Sequence, residues 1–269
     1  QEVLAYLPDN LFSRESRRGY HYLTEPGYKH RYYVDGTPFV ADAFIKGTAG
    51  ARQWQTVLLG SEGAGGRGLF ALNVTNPDAF SEANASKIVM WEFTNKDDSH
   101  LGYTFAQPTI ALMPNCRWAA IVGNGYADTA LDKTAGQSQL FIIYLDGGTD
   151  GVWTLGKDYI RIPTGVGSHS NRNGLSTPSV VDLNRDGVAD RVYAGDLHGN
   201  LWVFDFTSPN PTDWIRNKKL LFAAGKKQPI TVKPTLIRHP VLRTPTGPDL
   251  MVFFATGQYF AKDDHRTTT

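Results

Sequence analysis

Short runs of apolar and aromatic residues recur along the chain, separated by stretches rich in glycine, proline, serine and asparagine. Four runs begin directly after a proline, in TPFVADAFI, QPTIALM, TPSVVDL and KPTLIRH. Successive prolines of this set are 70, 70 and 56 residues apart: Pro38, Pro108, Pro178 and Pro234. Each run leads, after a loop, to an apolar strand that ends in glycine: Gly60, Gly123, Gly195 or Gly257. The chain therefore carries an internal repeat.

The repeated unit has the order strand, loop, strand, turn, strand. Its first three copies continue into a further aromatic and aliphatic strand, in GLFALNVT, QLFIIYLDGG and GNLWVFDFT. A recurring unit of three or four strands predicts an all-β fold of the β-propeller type, because loop insertions can lengthen blades of roughly 40–50 residues. A two-sheet β-sandwich is the alternative, but the proline-anchored repeat argues against it. We expect a single propeller domain over residues 1–269.

Composition and charge narrow the classes of function. The chain has 27 Lys and Arg residues and 26 Asp and Glu residues, and a net charge of +1 argues against nucleic-acid binding. No apolar run reaches the length of a transmembrane helix. Cys116 is the single cysteine, which excludes an intrachain disulfide and a cysteine-based zinc site. We expect Cys116 to be a buried, inert thiol.

The stretch VDLNRDGVADRV places oxygen-bearing groups at the spacing of a calcium loop. Calcium needs six to eight oxygen ligands, and a short loop supplies them when alternate side chains converge and a glycine turns the chain. Gly187 stands at the turn position, whereas Tyr193 stands where an EF-hand has its final glutamate. The candidate calcium ligands are Asp182, Asn184, Asp186, Val188 through its backbone carbonyl, and Asp190.

The alternative for this stretch is a plain hairpin turn, because Asp, Asn and Gly are common turn residues for reasons unrelated to metals. We favour calcium, since the clustered carboxylates would repel one another without a cation. The flanking segments alternate apolar and other residues, which predicts a β-hairpin. A second acidic loop, LDGGTDG with Asp146 and Asp150, has too few spaced oxygens to be a strong cation site.

Other patterns in the sequence give weaker indications of a functional site. GAGGRG spells G-x-G-x-x-G at Gly63, Gly65 and Gly68, but a strand-like LFALNV follows it, whereas a dinucleotide site requires a helix. We expect a hairpin turn there. The adjacent Asp97 and Asp98 are expected to be solvated loop charges. The sequence contains no G-x-S-x-G, H-E-x-x-H or Walker A motif.

Several segments, in this order, resemble one family: YKHRYYVDGTPFVADAF, GGRGLFALNVTNP, LGYTFAQPTI, WAAIVGNGY, DLNRDGVADRVYAGDLHGNLWVFDF, QPITVKPTLIRHP and MVFFATGQYF. They are similar to the C-terminal propeller domain of the PilC/PilY type IV pilus biogenesis and tip-associated adhesin proteins. The resemblance covers nearly the whole chain. Asn73 departs from the Asp that the family tends to have in this strand, and PNCRW replaces a more usual D-G-x-W turn.

The resemblance implies a modified seven-bladed propeller, of which this chain is a fragment without the family's variable N-terminal region. It also implies one calcium ion, with the family's ligand positions falling on the five residues named above. The family is exported in Gram-negative bacteria and is associated with the pilus, the cell surface or the outer membrane.

Members of the family promote pilus extension against retraction and support surface attachment and twitching motility. The implied partners are pilin or minor pilins and, through the full-length protein, host-cell or abiotic surfaces. We expect a protein that is not an enzyme. The alternative is a quinoprotein-type dehydrogenase propeller with pyrroloquinoline quinone and calcium, which would share its calcium with a central cofactor, whereas these ligands are contiguous in one loop.

Overall fold

The computed structural model describes residues 2–13, 15, 17–46, 50–244, 247–260 and 264, with side chains of 242–249 left out. The described chain forms three four-stranded antiparallel sheets and one two-stranded hairpin, in which each strand pairs with its neighbour in sequence. Two single-turn helices, α1 (Ala85–Ile88) and α2 (Pro211–Trp214), and the 3-10 turns Pro77–Ala79 and Glu82–Asn84 lie in connections between strands. Two further 3-10 turns, Asp9–Leu11 and Tyr20–Thr24, precede the first strand.

The strands follow one another as simple meanders. Sheet 1 contains β1 (Phe39–Lys46), β2 (Arg52–Ser61), β3 (Gly68–Asn73) and β4 (Val89–Thr94). Sheet 2 contains β5 (Thr109–Leu112), β6 (Trp118–Gly123), β7 (Gln137–Tyr144) and β8 (Tyr159–Gly167). Sheet 3 contains β9 (Ser179–Val181), β10 (Arg191–Gly195), β11 (Asn200–Asp205) and β12 (Lys218–Ala223). The last hairpin contains β13 (Thr235–Thr244) and β14 (Gly247–Phe253).

The repeat predicted from the prolines is confirmed, because the first strand of each sheet starts at the residue after the proline. Proline lacks a backbone N–H and fits the position just before a strand. The segments before β1, β5 and β9 also meet: the Gln107 side chain donates to the Pro38 carbonyl at 3.2 Å, and its backbone N–H donates to Thr177 at 3.1 Å. The three sheets are thus joined at their first strands.

The structure adds a fourth strand, β4, β8 or β12, at the outer edge of each sheet, which the three-strand sequence unit does not contain. Over the described part of the chain, the sheets do not close into a ring. The G-x-G-x-x-G segment forms the turn between β2 and β3, with Gly63 at φ +60°, so the predicted hairpin is confirmed.

Sheet 2 is buried on both faces. Phe141 and Ile143 of β7 pack toward sheet 1, whereas Leu140 and Ile142 of the same strand pack toward sheet 3. A strand covered on both faces has a continuous apolar sequence, which is why QLFIIY shows no alternation. Burying each such side chain stabilises the fold by roughly 1.5–3 kcal/mol.

Two of the repeated glycines are required by close approach between sheets. A Cβ atom on Gly123 would lie 2.3 Å from the Leu175 carbonyl oxygen, and one on Gly195 would lie 2.2 Å from a methyl group of Ile230. Leu175 and Ile230 precede the first strands of the next sheet and of the hairpin. The glycine at the end of β6 or β10 therefore lets the following repeat pack against it.

Cys116 is exposed in the turn between β5 and β6, where its φ is +61°. The prediction of a buried thiol is therefore wrong. The apolar strands on either side suggested burial, but the PNCRW segment is a tight turn whose backbone directs this side chain outward.

The N-terminal segment is fastened across sheet 1 by two acidic residues. Tyr6 donates its hydroxyl to Glu92, the Asp9 N–H donates to the same carboxylate at 2.8 Å, and the Asn10 side chain donates to Glu62 at 3.0 Å. Glu62 is only 1% exposed. Burial raises the pKa of Glu62 to about 7, although the hydrogen bond from Asn10 lowers it, and the charge of Glu92 raises it further.

We predict that Glu62→Gln removes a pH-dependent loss of stability. A folded pKa of about 7 lies above the usual value of 4.5, so the native protein loses stability as pH rises from 4.5 through 7. At pH 8 the variant should be more stable by up to about 3 kcal/mol, and at pH 4 nearly equal to the parent. Urea denaturation at both pH values measures this, with exposed Glu82→Gln as the control. An unchanged pH slope in Glu62→Gln would contradict the assignment.

Candidate functional site

The predicted calcium loop connects β9 to β10 in sheet 3, as the flanking pattern predicted. The Asp190 N–H donates to the Val181 carbonyl at 2.9 Å and closes the base of the loop. The Ala189 N–H donates to the Leu112 carbonyl, also at 2.9 Å, at the end of β5. The loop is therefore held by its own sheet and by the neighbouring one.

Loop side chains accept hydrogen bonds from loop backbone groups. The two oxygens of Asp182 accept from the N–H groups of Arg185 at 2.5 Å and Gly187 at 2.8 Å. Arg185 and Gly187 have φ values of +68° and +88°, and these two left-handed residues turn the chain back over Asp182.

The other candidate ligands continue this pattern. Asn184 Oδ1 accepts from the Asp186 N–H at 3.0 Å, and Asp186 Oδ1 accepts from the Val188 N–H at 2.8 Å. Asn184 Nδ2 donates to Asp186 Oδ2 at 2.8 Å, so these two side chains are in contact. Asp190 Oδ2 accepts from the Leu183 N–H at 2.6 Å at the start of the loop.

The structure thus brings Asn184 and Asp186 together and folds Asp182 and Asp190 onto the loop backbone. In the described ranges, no three His, Cys, Asp or Glu side chains converge as a set of metal ligands. The donor set is nonetheless of the type that calcium uses, because every candidate offers oxygen and the loop is already bent. The loop fits a calcium ion in donor chemistry and connectivity, while its carboxylates are engaged by loop N–H groups.

The two acidic residues of the second acidic loop pair with basic side chains of the protein. Asp146 accepts two hydrogen bonds from the Arg117 guanidinium, at 2.6 and 3.1 Å. Asp150 accepts from Lys157 Nζ at 3.2 Å and from the Val152 N–H at 3.0 Å. Asp146 and Asp150 are therefore held apart by separate partners.

A charged cluster that sequence reasoning missed lies between sheets 1 and 2. The expectation that Asp98 is a solvated loop charge is wrong, because Asp98 is buried and bonded to three side chains. Its oxygens accept from Arg161 Nη1 at 2.8 and 3.0 Å and from the Tyr159 hydroxyl at 2.8 Å. Its Oδ1 also lies 2.9 Å from His100 Nδ1.

The environment of this cluster favours the charged form of Asp98. Burial raises the pKa of Asp98, but the hydrogen bonds from His100, the charge of Arg161 and the Tyr159 hydroxyl bring it below its usual value. Burial and the neighbouring Asp98 raise the pKa of Tyr159, so its hydroxyl remains a donor. The sequence feature that could have indicated this cluster was Arg161, because it is the one charged residue in the otherwise apolar strand segment YIRI.

The repeated four-stranded antiparallel meanders are of the type that forms the blades of β-propellers. The family model described as the PilY1 beta-propeller domain matches residues 2–269, and the chain belongs to that family. In an alignment 297 positions long, the chain is 38% identical to the type IV pilus biogenesis factor PilY1 of Pseudomonas aeruginosa strain UCBPP-PA14, covering 100% of this chain and 22% of that protein.

Two further comparisons agree. A PilY1 homolog from Xylella fastidiosa is 35% identical in an alignment 283 positions long, covering 99% of this chain and 17% of that protein. The crystal structure of the Pseudomonas aeruginosa PilY1 C-terminal domain matches with a TM-score of 0.66 and 37% identity, over 88% of this chain and 47% of that chain. This chain therefore spans about a fifth of the length of these curated relatives.

No helix in the described ranges is both long and apolar enough to cross a membrane.

We predict that Asp98→Asn costs about 3 kcal/mol of unfolding free energy, because it leaves the half-buried Arg161 without its counter-charge. Asp97→Asn is the matched control: Asp97 is exposed and accepts from the Thr94 N–H and hydroxyl, which an amide oxygen can also do. Its effect should stay below about 1 kcal/mol. Denaturant unfolding of both variants measures the difference, and equal losses would show that the buried cluster is not stabilising.

Proposed function

We propose that this chain is the propeller portion of a type IV pilus biogenesis factor. Its similarity over the entire length to PilY1 proteins, which carry that description, supports the proposal. In this role the protein is not an enzyme. It acts outside the cell, at the pilus, the cell surface or the outer membrane, and promotes pilus extension against retraction through contacts with pilin or minor pilins. Attachment to surfaces and twitching motility follow from that activity in the full-length protein.

The pilus role is tested in a strain that lacks the full-length protein containing this chain. Restoring the complete gene should restore surface pili and twitching, whereas a gene without residues 2–269 should not. Surface pilin is measured by shearing and immunoblotting, and secretion of the shortened product is checked in parallel. Normal piliation with the secreted, shortened product would contradict the proposal.

We further propose that the loop between β9 and β10 binds one calcium ion. Asp182, Asn184, Asp186 and Asp190 would supply side-chain oxygens, and Val188 its carbonyl. The loop N–H groups of Arg185 and Gly187 already orient Asp182, and the bond from Ala189 to Leu112 fixes the loop against sheet 2. Carboxylates repel one another in a shared site unless a cation offsets their charge, so cation binding would draw the loop together. All candidate ligands lie in one loop, which favours a site within the loop over one shared with a quinone.

We expect calorimetric titration of chelator-stripped protein to show one calcium bound per chain, and Asp182→Ala or Asp190→Ala to abolish it. The control is Asp150→Ala, which removes an exposed acidic residue from another Gly-rich loop and should leave binding unchanged. A melting transition raised by the equivalent of about 2.7 kcal/mol at a hundredfold excess over Kd would mark a stabilising ion. Binding without such a shift would mean that calcium binds the unfolded chain as well, which would contradict a site formed by the folded loop. Equal binding by Asp182→Ala and the parent would remove the loop as the site.

Finally, we propose that the three sheets and the hairpin are part of one larger ring, seven-bladed in its complete form. The outer face of sheet 1 exposes Val40, Phe44 and Trp54, and the last hairpin exposes Ile237 and Phe253. Apolar patches of this kind mark surfaces that another element covers. The solved PilY1 C-terminal domain, of which the match covers less than half, supports further polypeptide as that cover.

We predict that Trp54→Lys lowers the stability of a longer protein containing the further blades by about 3 kcal/mol, but that of this chain alone by only about 1 kcal/mol, the cost of losing its ring contacts with Phe44 and Trp118. Val152→Lys is the control, because Val152 and Trp54 are both 61% exposed while Val152 lies in a loop. Thermal unfolding of both variants in both contexts measures the effect. An equal change for Trp54→Lys in the two contexts would show that no further blade covers this face.

A further inference from the structure

The connection between β6 and β7, residues 124–136 (the β6–β7 loop), is fastened over the junction of sheets 1 and 2. The Thr129 N–H donates to the Ser99 carbonyl at 2.9 Å, and the Arg172 guanidinium contacts the Asp128 carboxylate. A third fastening joins the loop to the buried His100. Leu131, 86% exposed, lies within the loop beside this fastening.

His100 bridges the loop and the interior. It is 3% exposed, and its Nδ1 lies 2.9 Å from Asp98 Oδ1. On the other side of the ring, Nε2 lies 2.7 Å from Thr134 Oγ1 and 3.1 Å from Asp132 Oδ1. The Thr134 hydroxyl donates to Asp132 Oδ1 at 2.8 Å, so its oxygen is free to accept from Nε2. Nε2 thus faces acceptor oxygens, and Nδ1 faces the Asp98 carboxylate as well as the Arg161 guanidinium. An imidazolium satisfies the acceptors on both sides of the ring, because each of its nitrogens carries an N–H donor.

The charges around His100 also match a protonated ring. Asp98 comes from its own segment, Asp132 and Asp128 come from the β6–β7 loop, and Arg172 pairs with Asp128. From β8, Arg161 pairs with Asp98 and its Nη1 also contacts His100 Nδ1, while Tyr159 donates to Asp98. Three carboxylates face two guanidinium groups, so one further positive charge makes the cluster neutral. Arg161 opposes that charge, and the carboxylates on both sides of the ring favour it.

We propose that protonated His100 is a pH-dependent latch, which holds the Asp132–Thr134 part of the β6–β7 loop onto the sheet 1 and sheet 2 junction and releases it on deprotonation. This device is independent of the calcium loop, which lies between β9 and β10, and of the pilus role. Loss of the proton leaves a single N–H donor for two sets of acceptors and an uncompensated negative charge in the cluster. The loop side of the bridge is the half-exposed one, so release occurs there.

The titration behaviour fits this arrangement. Burial lowers the pKa of His100, but hydrogen bonds to Asp98 and Asp132 raise it above its usual value. Burial also raises the pKa of Asp132, but hydrogen bonds from Thr134 and His100 lower it to about 2, so Asp132 stays charged throughout. A raised folded pKa means that the latch is fully formed below pH 6.5, the usual value for histidine, and is lost as pH rises through the folded pKa.

The test combines two NMR measurements between pH 5.5 and 9. The ring shifts of His100 give its protonation state, and hydrogen exchange of the Thr129 amide, corrected for intrinsic rates, reports loop closure. We expect His100 to titrate above 6.5 and the protection of Thr129 to fall up to about tenfold per pH unit above that pKa. A neutral ring at pH 6, with Arg161 donating to Nδ1, would overturn the proposal, as would constant protection of Thr129.

Two substitutions distinguish loss of the His100 contact with the loop from a general loss of stability. Asp132→Asn should lower the pKa of His100 and shift the loss of Thr129 protection to lower pH, with the global unfolding free energy nearly unchanged because Asp132 is half-exposed. His169→Gln is the matched control, since His169 is exposed and contacts Arg172 but not His100. This variant should leave the titration of His100 and the pH dependence of Thr129 protection unchanged. If Asp132→Asn also leaves both in place, the His100 contact does not hold the loop.

Discussion

Packing of sheet 2 between two neighbours is the constraint on which the rest of the structure depends. The β7 strand contributes alternate side chains to both of the large apolar cores, one shared with sheet 1 and the other with sheet 3. The close approach at Gly123 and Gly195 sets the spacing between successive repeats. Because the sheets meet at their first strands, the connections between them gather above the junctions, where the Asp98 cluster and the β6–β7 loop lie. The charged cluster thus depends on the apolar packing beneath it.

The repeat was readable from the sequence because proline and glycine mark backbone requirements that are local. Pro38, Pro108 and Pro178 each precede a strand because proline lacks the backbone N–H that a position inside a sheet requires. The turn residues Asp, Asn and Gly indicate the β9–β10 hairpin in the same way. The outer strands were not readable, since β12 is a short, exposed segment, KKLLFA, with no alternation. Asp98 could not be assigned either. Its partner Arg161 lies 63 residues away, and only the stacking of sheet 1 on sheet 2 brings the two together.

For the proposed calcium loop, sequence and structure carry different information. The sequence supplies the order of oxygen donors, and the structure shows how Arg185 and Gly187 bend the chain so that Asp182 reaches the far side of the loop. Each of the three carboxylates accepts a hydrogen bond from a loop N–H group, which offsets part of their mutual repulsion. The loop's attachment to Leu112 means that any rearrangement there is also felt by sheet 2.

The hydrogen bond between Ala189 and Leu112 makes the exposed Cys116 a useful position for a label. Its turn follows directly on β5, whose last residue, Leu112, accepts the hydrogen bond from Ala189 in the β9–β10 loop. As the single thiol in this sequence, it can be labelled by a thiol-reactive dye without any substitution. A fluorophore at this position would lie one turn away from the backbone contact between the two sheets. Cys116 is therefore a natural attachment site for a fluorescent label that reports conformational change in the β9–β10 loop.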